Sequence, residues 1–250
     1  MAGKMRIFDQ VDRKRYSEQV IESIKTEILS GRFAVGDKLP GEKELTQSFK
    51  ISRTVVREAI RVLEESGLVE IRKGPKGGAF VTNVFHKPMS NSLKSLVDHG
   101  EISIDHLFGV RLLIEPHVAA EAAVKATTSD LESLWALIDE SSSHQDDVEL
   151  LKRNNINFHL LLAKAAGNPV LSILMESVIS LLVELTQNFS HLRSGQEHLR
   201  AHKQLLSAIE QHRPAEASAL IAEDISGVRD KLSEFHFVAT SSAPALKNGQ

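Results

Sequence analysis

Cysteine is absent from the 250-residue chain, so neither a disulfide framework nor thiolate chemistry is open to it. That absence suits a reducing compartment, and the expected location is the cytoplasm. Long apolar runs are also lacking. Residues Met1 to Gln10 hold no apolar core, no segment approaches a membrane span, and no membrane partner is expected. Tryptophan occurs once, at Trp135, where a core anchor is expected rather than a platform for a ligand. With 42% hydrophobic residues the chain can still bury a substantial core, and its length suits two domains.

An overall positive charge is missing too, because the formal net charge is -3. Its distribution is uneven. Up to residue 85 there are 16 Lys+Arg against 12 Asp+Glu, about +4, and the remainder carries 14 against 21, about -7. A basic end attracts phosphates and an acidic remainder repels them, so a nucleic acid is expected to meet the N-terminal part.

In that part, Val20, Ile21, Ile24, Ile28 and Leu29 recur at helical spacing and predict a helix from Tyr16 to Ser30, stopped by Gly31. Glu42 to Phe49 makes a short second helix. Ser52 caps a third that runs to about Ser66, with Val56, Ile60 and Leu63 inward and Arg53, Thr54 and Arg57 at its exposed start. Side chains at that place on a recognition helix reach base edges and phosphates. Leu68 to Arg72 and Ala79 to Thr82 then read as two strands around the Gly- and Lys-rich tip that contains Lys73 and Gly74.

Leu39-Pro40-Gly41-Glu42-Lys43-Glu44-Leu45, Ser52-Arg53-Thr54-Val55-Val56-Arg57-Glu58-Ala59-Ile60, Leu63-Glu64-Glu65-Ser66-Gly67-Leu68-Val69 and Gly78-Ala79-Phe80-Val81 resemble the winged helix-turn-helix of GntR-family transcription regulators. The resemblance covers roughly residues 12 to 84. It implies DNA contacts at Lys43, at Arg53, Thr54 and Arg57, and at the wing around Lys73 and Gly74. Position 43 is often Arg in that family. Lys there favours phosphate contact over the bidentate fork to guanine.

Residues 83 to 90 break the pattern and are expected to be a linker. Seven helical stretches follow: Asn91 to His99, Ile104 to Lys125, Ser129 to Ser142, Asp146 to Ala166, Pro169 to about Leu192, Gln196 to Gln211 and Pro214 to about Phe235. The expected fold is therefore mainly α. A winged helix-turn-helix (10–84) with a small β-hairpin wing leads through a linker (85–90) to an all-α bundle of six or seven helices (91–238), with a disordered tail (239–250).

Polar residues interrupt three of the inward stripes. Leu151, Asn155, Phe158, His159 and Leu162 share one face; Leu199, His202, Leu206 and Ile209 a second; Ala217, Leu220, Ile221, Asp224, Val228 and Leu232 a third. Buried unpaired, such groups cost several kcal/mol, so they need a common partner. Two readings stay open: a hydrogen-bonded core network, or an ion held by Asn155, His159, His202 and Asp224. His198, one turn before His202, offers a substitute ligand, but its place at the edge of the stripe favours a surface role. Arg111, on the stripe Ile104, Leu107, Arg111, Ile114, Val118, either clamps a carboxylate or pairs with Glu115.

Arg111 to Glu115, Asn155 to His159, Ala166 to Pro169 and His202 to Ile209 resemble, in order, the FCD effector domain of the FadR branch of the same family. The resemblance covers roughly residues 90 to 236. In that domain an Asp and three His hold a divalent metal beside a carboxylate effector. Here His159 and His202 match two of the histidines, Asn155 stands at the Asp, and Asp224 stands at the last His. The set keeps four O or N donors and one negative charge, which suits zinc, nickel or manganese. The resemblance implies a regulator, not an enzyme. It would bind double-stranded operator DNA as a homodimer, with a small carboxylate controlling its affinity. A metal-dependent enzyme with a DNA-binding tether, and an effector-free structural DNA-binding protein, are the alternatives.

Overall fold

A computed structural model describes residues 13–186 and 195–241, with side chains placed within 16–186 and 196–231. The chain divides into two compact units, and the division falls after Met89.

The first unit holds α1 (Arg13–Leu29), α2 (Glu42–Phe49), α3 (Arg53–Glu65), β1 (Val69–Arg72) and β2 (Gly78–Val81). Its helices start and stop where local chemistry requires. Glu44 accepts the Gly41 N–H at 2.7 Å at the head of α2, Lys50 in the left-handed region (φ 54) ends that helix, and the Ser52 hydroxyl accepts from Val55 N at 3.4 Å to start α3. Val56, Ala59, Ile60 and Leu63 of α3 close on Val20, Ile21 and Ile24 of α1 and on Leu45, Val69 and Val81. The hairpin is antiparallel, pairing Val69 with Val81 and Arg72 with Gly78. Residues around Lys38 extend this sheet: Leu39 N donates to Ala79 O and Val81 N donates to Asp37 O at 2.9 and 2.8 Å.

Gly67 joins α3 to β1 with φ +73, and a Cβ there would lie 2.3 Å from the Val84 carbonyl oxygen. Both the left-handed backbone and the close approach exclude a side chain. Gly67→Ala is expected to destabilise this unit by roughly 2 kcal/mol or more, read as a lower midpoint in urea unfolding.

The second unit is helical throughout its described residues: α4 (His86–Asp98), α5 (Ile104–Lys125), α6 (Thr128–Ser143), α7 (Val148–Ala165), α8 (Pro169–Thr186), α9 (Gly195–Glu210) and α10 (Pro214–Ser241). Thr127 and Asp130 form a reciprocal cap on α6, and Asp147 caps α7 through Leu150 N at 3.0 Å. α5 runs through the middle, packed against α7, α8, α9 and most extensively α10.

Three expectations need correction. The stretch expected to be an irregular linker is helical from His86, in the first turn of α4, and the division between the units falls within it; Pro88 fits there because the first turn of a helix leaves its N–H groups unbonded. The expected tail is helical through Ser241, six residues past the predicted end at Phe235, while 242–250 and the predicted end of α8 at 187–192 lie outside the described residues. A segment with the length and composition of a membrane span does exist: α8, with mean hydropathy 1.7 over 18 residues. In the bundle it points Met175, Val178, Ile179, Leu181 and Leu182 into the core.

Candidate DNA-reading face and metal centre

On the first unit, Lys43, Arg53, Thr54 and Arg57 are all exposed, on the first turns of α2 and α3. Lys73 and Gly74 are exposed at the hairpin tip, where Gly74 takes φ +107 and its carbonyl accepts from Gly77 N at 2.8 Å. Sequence reasoning missed Glu42. Its carboxylate takes the Arg57 Nε–H, 2.9 and 3.0 Å from its two oxygens, and so ties the start of α3 to the start of α2. No periodicity could have shown a pair fifteen residues apart.

In the second unit α7 supplies Asn155 and His159, α9 supplies His202, and α10 supplies Asp224, each from the stripe that faces the core. His159, His202 and Asp224 each bring one donor atom to within 4.8 Å of the others, and all three are buried. The His202 ring stacks on Phe158 at 3.9 Å between centroids, which fixes its plane. His159 Nε2 lies 3.8 Å and His202 Nε2 3.9 Å from Asp224 Oδ2. Those separations are too long for hydrogen bonds. They approach the edge of about 3.4 Å between two donors on one ion with bonds near 2.1 Å.

Two of these residues leave buried atoms unsatisfied. Asn155 Oδ1 and His202 Nε2 have no hydrogen-bond partner, and so does Oδ1 of the neighbouring Asn154. Asn154, Asn155 and His202 line one cavity of about 20 Å³, room for a single water-sized species. Asn154 is more deeply buried than Asn155, and the stripe through Leu151 and Phe158 admits it as readily. Its amide donates to Glu140 Oε2 at 2.8 Å and to Ser141 Oγ at 3.1 Å.

Glu115, which the sequence offers only as a pair for Arg111, lies against His159 as well. It is 1% exposed. Arg111 Nε donates to its Oε1 at 2.5 Å, and His159 Nδ1 donates to its Oε2 at 2.6 Å. The second bond settles the tautomer of His159: with Nδ1 protonated, Nε2 carries its lone pair towards Asp224 and His202. Arg111 Nη2 meanwhile rests 3.2 and 3.4 Å from the two ring nitrogens. The pair alternative for Arg111 is therefore formed, with His159 as its third member.

The ionisation states fit donor chemistry. Burial would raise the Glu115 carboxyl, but the charge of Arg111 and hydrogen bonds from His159 and Arg111 hold it down at about 2. Burial also opposes ionisation of Asp224, but the hydrogen bond from His198 keeps the group well below the usual carboxylate range. Burial holds His202 well below the ordinary histidine range, neutral and able to donate a lone pair.

Comparison with known proteins bears on both units. The pattern of bacterial regulatory proteins of the gntR family matches residues 16–81, and the FCD domain matches residues 106–227. The HTH-type transcriptional regulator LutR of Bacillus subtilis is 33% identical over 214 residues, spanning 83% of this chain and 97% of LutR. The chain belongs to the GntR family. As a GntR-family protein with an FCD domain it is a DNA-binding transcription regulator of the FadR-like branch. The Uxu operon regulator of Haemophilus influenzae is 31% identical over 223 residues, covering 84% of this chain and 79% of that one. A solved structure, Streptococcus agalactiae GntR, is 28% identical with a TM-score of 0.63, covering 86% of this chain and 99% of the other.

Within this regulator the Glu115 contacts have a measurable consequence. A carboxyl near 4.5 when unfolded and about 2 when folded stabilises the fold above pH 4.5, and that contribution is lost as pH falls towards 2. Glu115→Gln is expected to cost about 1–3 kcal/mol at neutral pH by weakening both bonds, and to flatten the acid limb of stability against pH. Unfolding midpoints across pH 2 to about 6 test this; an unchanged acid limb would count against it.

Proposed function

We propose that a small carboxylate metabolite controls the operator affinity of this GntR-family regulator by binding beside a divalent ion held by Asn155, His159, His202 and Asp224. The observation that carries the reading is the orphaned pair, Asn155 Oδ1 and His202 Nε2, from two residues that line one cavity of about 20 Å³, with His202 Nε2 3.9 Å from Asp224 Oδ2. A hydrogen-bonded core network would have closed those distances and satisfied those atoms. Two imidazole nitrogens, one carboxylate and one amide oxygen suit zinc, nickel or manganese. When bound, the ion supplies a Lewis-acidic anchor for a carboxylate oxygen.

Charge supports the same assignment. Arg111, Glu115 and Asp224 sum to one negative charge with the histidines neutral, a dication makes it one positive, and one effector carboxylate brings the site to neutrality. Arg111 is the cation nearest the donors. Held through Nε by Glu115, it is the candidate to receive the effector carboxylate with its terminal nitrogens.

On the DNA side, Arg53, Thr54 and Arg57 would enter the major groove from the start of α3. Lys43 would hold phosphate, and Lys73 and Gly74 would follow the backbone from the wing. Two copies would read a pseudo-palindromic site. Exposed apolar residues on α5 (Val110, Leu113 and Val124) and on α8 (Val170 and Val183) support a homodimer, because a second copy would cover them. The reading places the protein in the cytoplasm, with its DNA.

A thermal-shift screen of the ion-loaded protein against small carboxylates tests the effector class. At 100 times its dissociation constant a binder should add roughly 2.7 kcal/mol of stability and raise Tm by several degrees. Hits that vanish after chelation support the reading; no shift with any carboxylate, or shifts that ignore chelation, would sink it.

A further inference from the structure

The pair formed by Arg57 and Glu42 on the first unit has no evident work to do in the fold. Both side chains are well exposed, 69% for Arg57 and 46% for Glu42, so the pair adds little to stability. Capping does not require Glu42 either, because Glu44 already takes the Gly41 N–H at the head of α2. The carboxylate holds one nitrogen only. Arg57 Nε lies 3.0 and 2.9 Å from its two oxygens, while the terminal nitrogens of Arg57 make no hydrogen bond among the described residues. Arg53, one turn earlier on α3, is not held in this way.

We propose that Glu42 is a positioning residue that sets Arg57 to read a guanine, one in each half-site of the operator. The inference rests on the DNA-reading assignment of α3 above and adds to it the base and the residue that selects it. A guanidinium held at Nε presents its two terminal amino groups as a fork, which matches the O6 and N7 acceptors of guanine. Fixing the side chain before DNA arrives also reduces the rotamer freedom lost on binding.

Charge points the same way. Arg57 and Glu42 together are neutral, so the pair gains little from phosphates, whereas a base edge asks for donors rather than net charge. A carboxylate on a face that meets phosphates weakens binding to any DNA. Discrimination between bases is the gain that offsets this loss.

The test uses the full chain and a pool of duplexes with a randomised core, from which bound sequences are selected and counted for the parent and its variants. Arg57→Ala should lose one guanine in each half-site that the parent prefers roughly 10- to 100-fold. Glu42→Ala is expected to cut the preference at that same base pair about tenfold and to leave the other positions as they were. On a scrambled duplex it should raise affinity and steepen the salt slope by about 1, because Arg57 then meets phosphate with its charge unmatched. Once Arg57 is alanine, Glu42→Ala should remove no further preference there. Glu42→Gln keeps an amide oxygen for the Nε–H, so it should weaken the preference less while steepening the slope equally. Melts matching the parent tie these changes to DNA reading, and Glu42→Gln carries the test should Glu42→Ala melt lower.

An unchanged guanine preference in both Glu42 variants overturns the proposal. So does an even loss across all sequences, which assigns Glu42 to placing α2 against α3, and so does tighter operator binding with the preference intact, which makes the pair a restraint on Arg57. If Arg57→Ala loses no base, or a base other than guanine, the proposal fails while the α3 reading stands. Parent-like binding by the Arg53→Ala, Arg57→Ala variant removes the α3 reading and this inference with it.

Discussion

With Arg53 and Arg57 both replaced by alanine, operator affinity is expected to fall about a thousandfold or more while the helical bundle stays folded. Each arginine reaching a base edge or a phosphate contributes roughly 1–3 kcal/mol, and the two sit on adjoining turns at the exposed start of α3. Glu42 sharpens the effect. In the parent its carboxylate is matched by Arg57 at 2.9 Å; without that partner it stands as an unpaired negative charge beside the phosphates. Lys43→Ala gives the contrast, weakening binding evenly across DNA sequences and lowering the salt slope by about 1, as expected for one lost phosphate contact. Fluorescence anisotropy with promoter fragments over a salt series measures all three. Unchanged binding by the double variant would remove α3 from the reading of DNA.

Replacing His159 and His202 with alanine is expected to lower divalent-ion affinity about a thousandfold or more and to leave the purified protein without bound metal. The two substitutions act differently. His202→Ala removes a neutral donor whose Nε2 has no other partner, so its main loss is the ion. His159→Ala also strips Glu115 of one of its two donors and leaves Arg111 facing a void, so it should destabilise the ion-free bundle as well. Metal analysis separates these losses when paired with melts before and after chelation. Chelation should lower the Tm of the parent and leave that of the double variant unmoved. Equal metal content in parent and variant would refute the site.

Much of the first unit is legible because its signals are local. A Ser three residues ahead of a backbone donor starts α3, hydrophobic residues at helical spacing face α1, and Gly67 stops the helix at a position closed to a side chain. The same holds for the polar residues His202 and Asp224, each of which interrupts an apolar stripe on its own helix. Where a local signal has two physical meanings, the sequence misleads. Pro88 reads as a breaker and proves to be a helix start. The apolar residues of α8 fill a bundle, where a span was not expected at all. Asn154 and Asn155 differ by one position on α7, and a stripe about a hundred degrees wide does not choose between them.

Arg53, Arg57, His159, His202 and Asp224 could be named from spacing alone, because helical periodicity fixes which face a side chain shares with its neighbours. Their partners could not. Glu42 beneath Arg57, Glu115 behind His159 and His198 beside Asp224 meet across 15, 44 and 26 residues of chain. A face can be inferred within one helix, but the facing of two helices is set by packing over the whole core. That packing decides which nitrogen of His159 is free, and it brings a histidine at the edge of α9 to within 3.3 Å of Asp224 on α10.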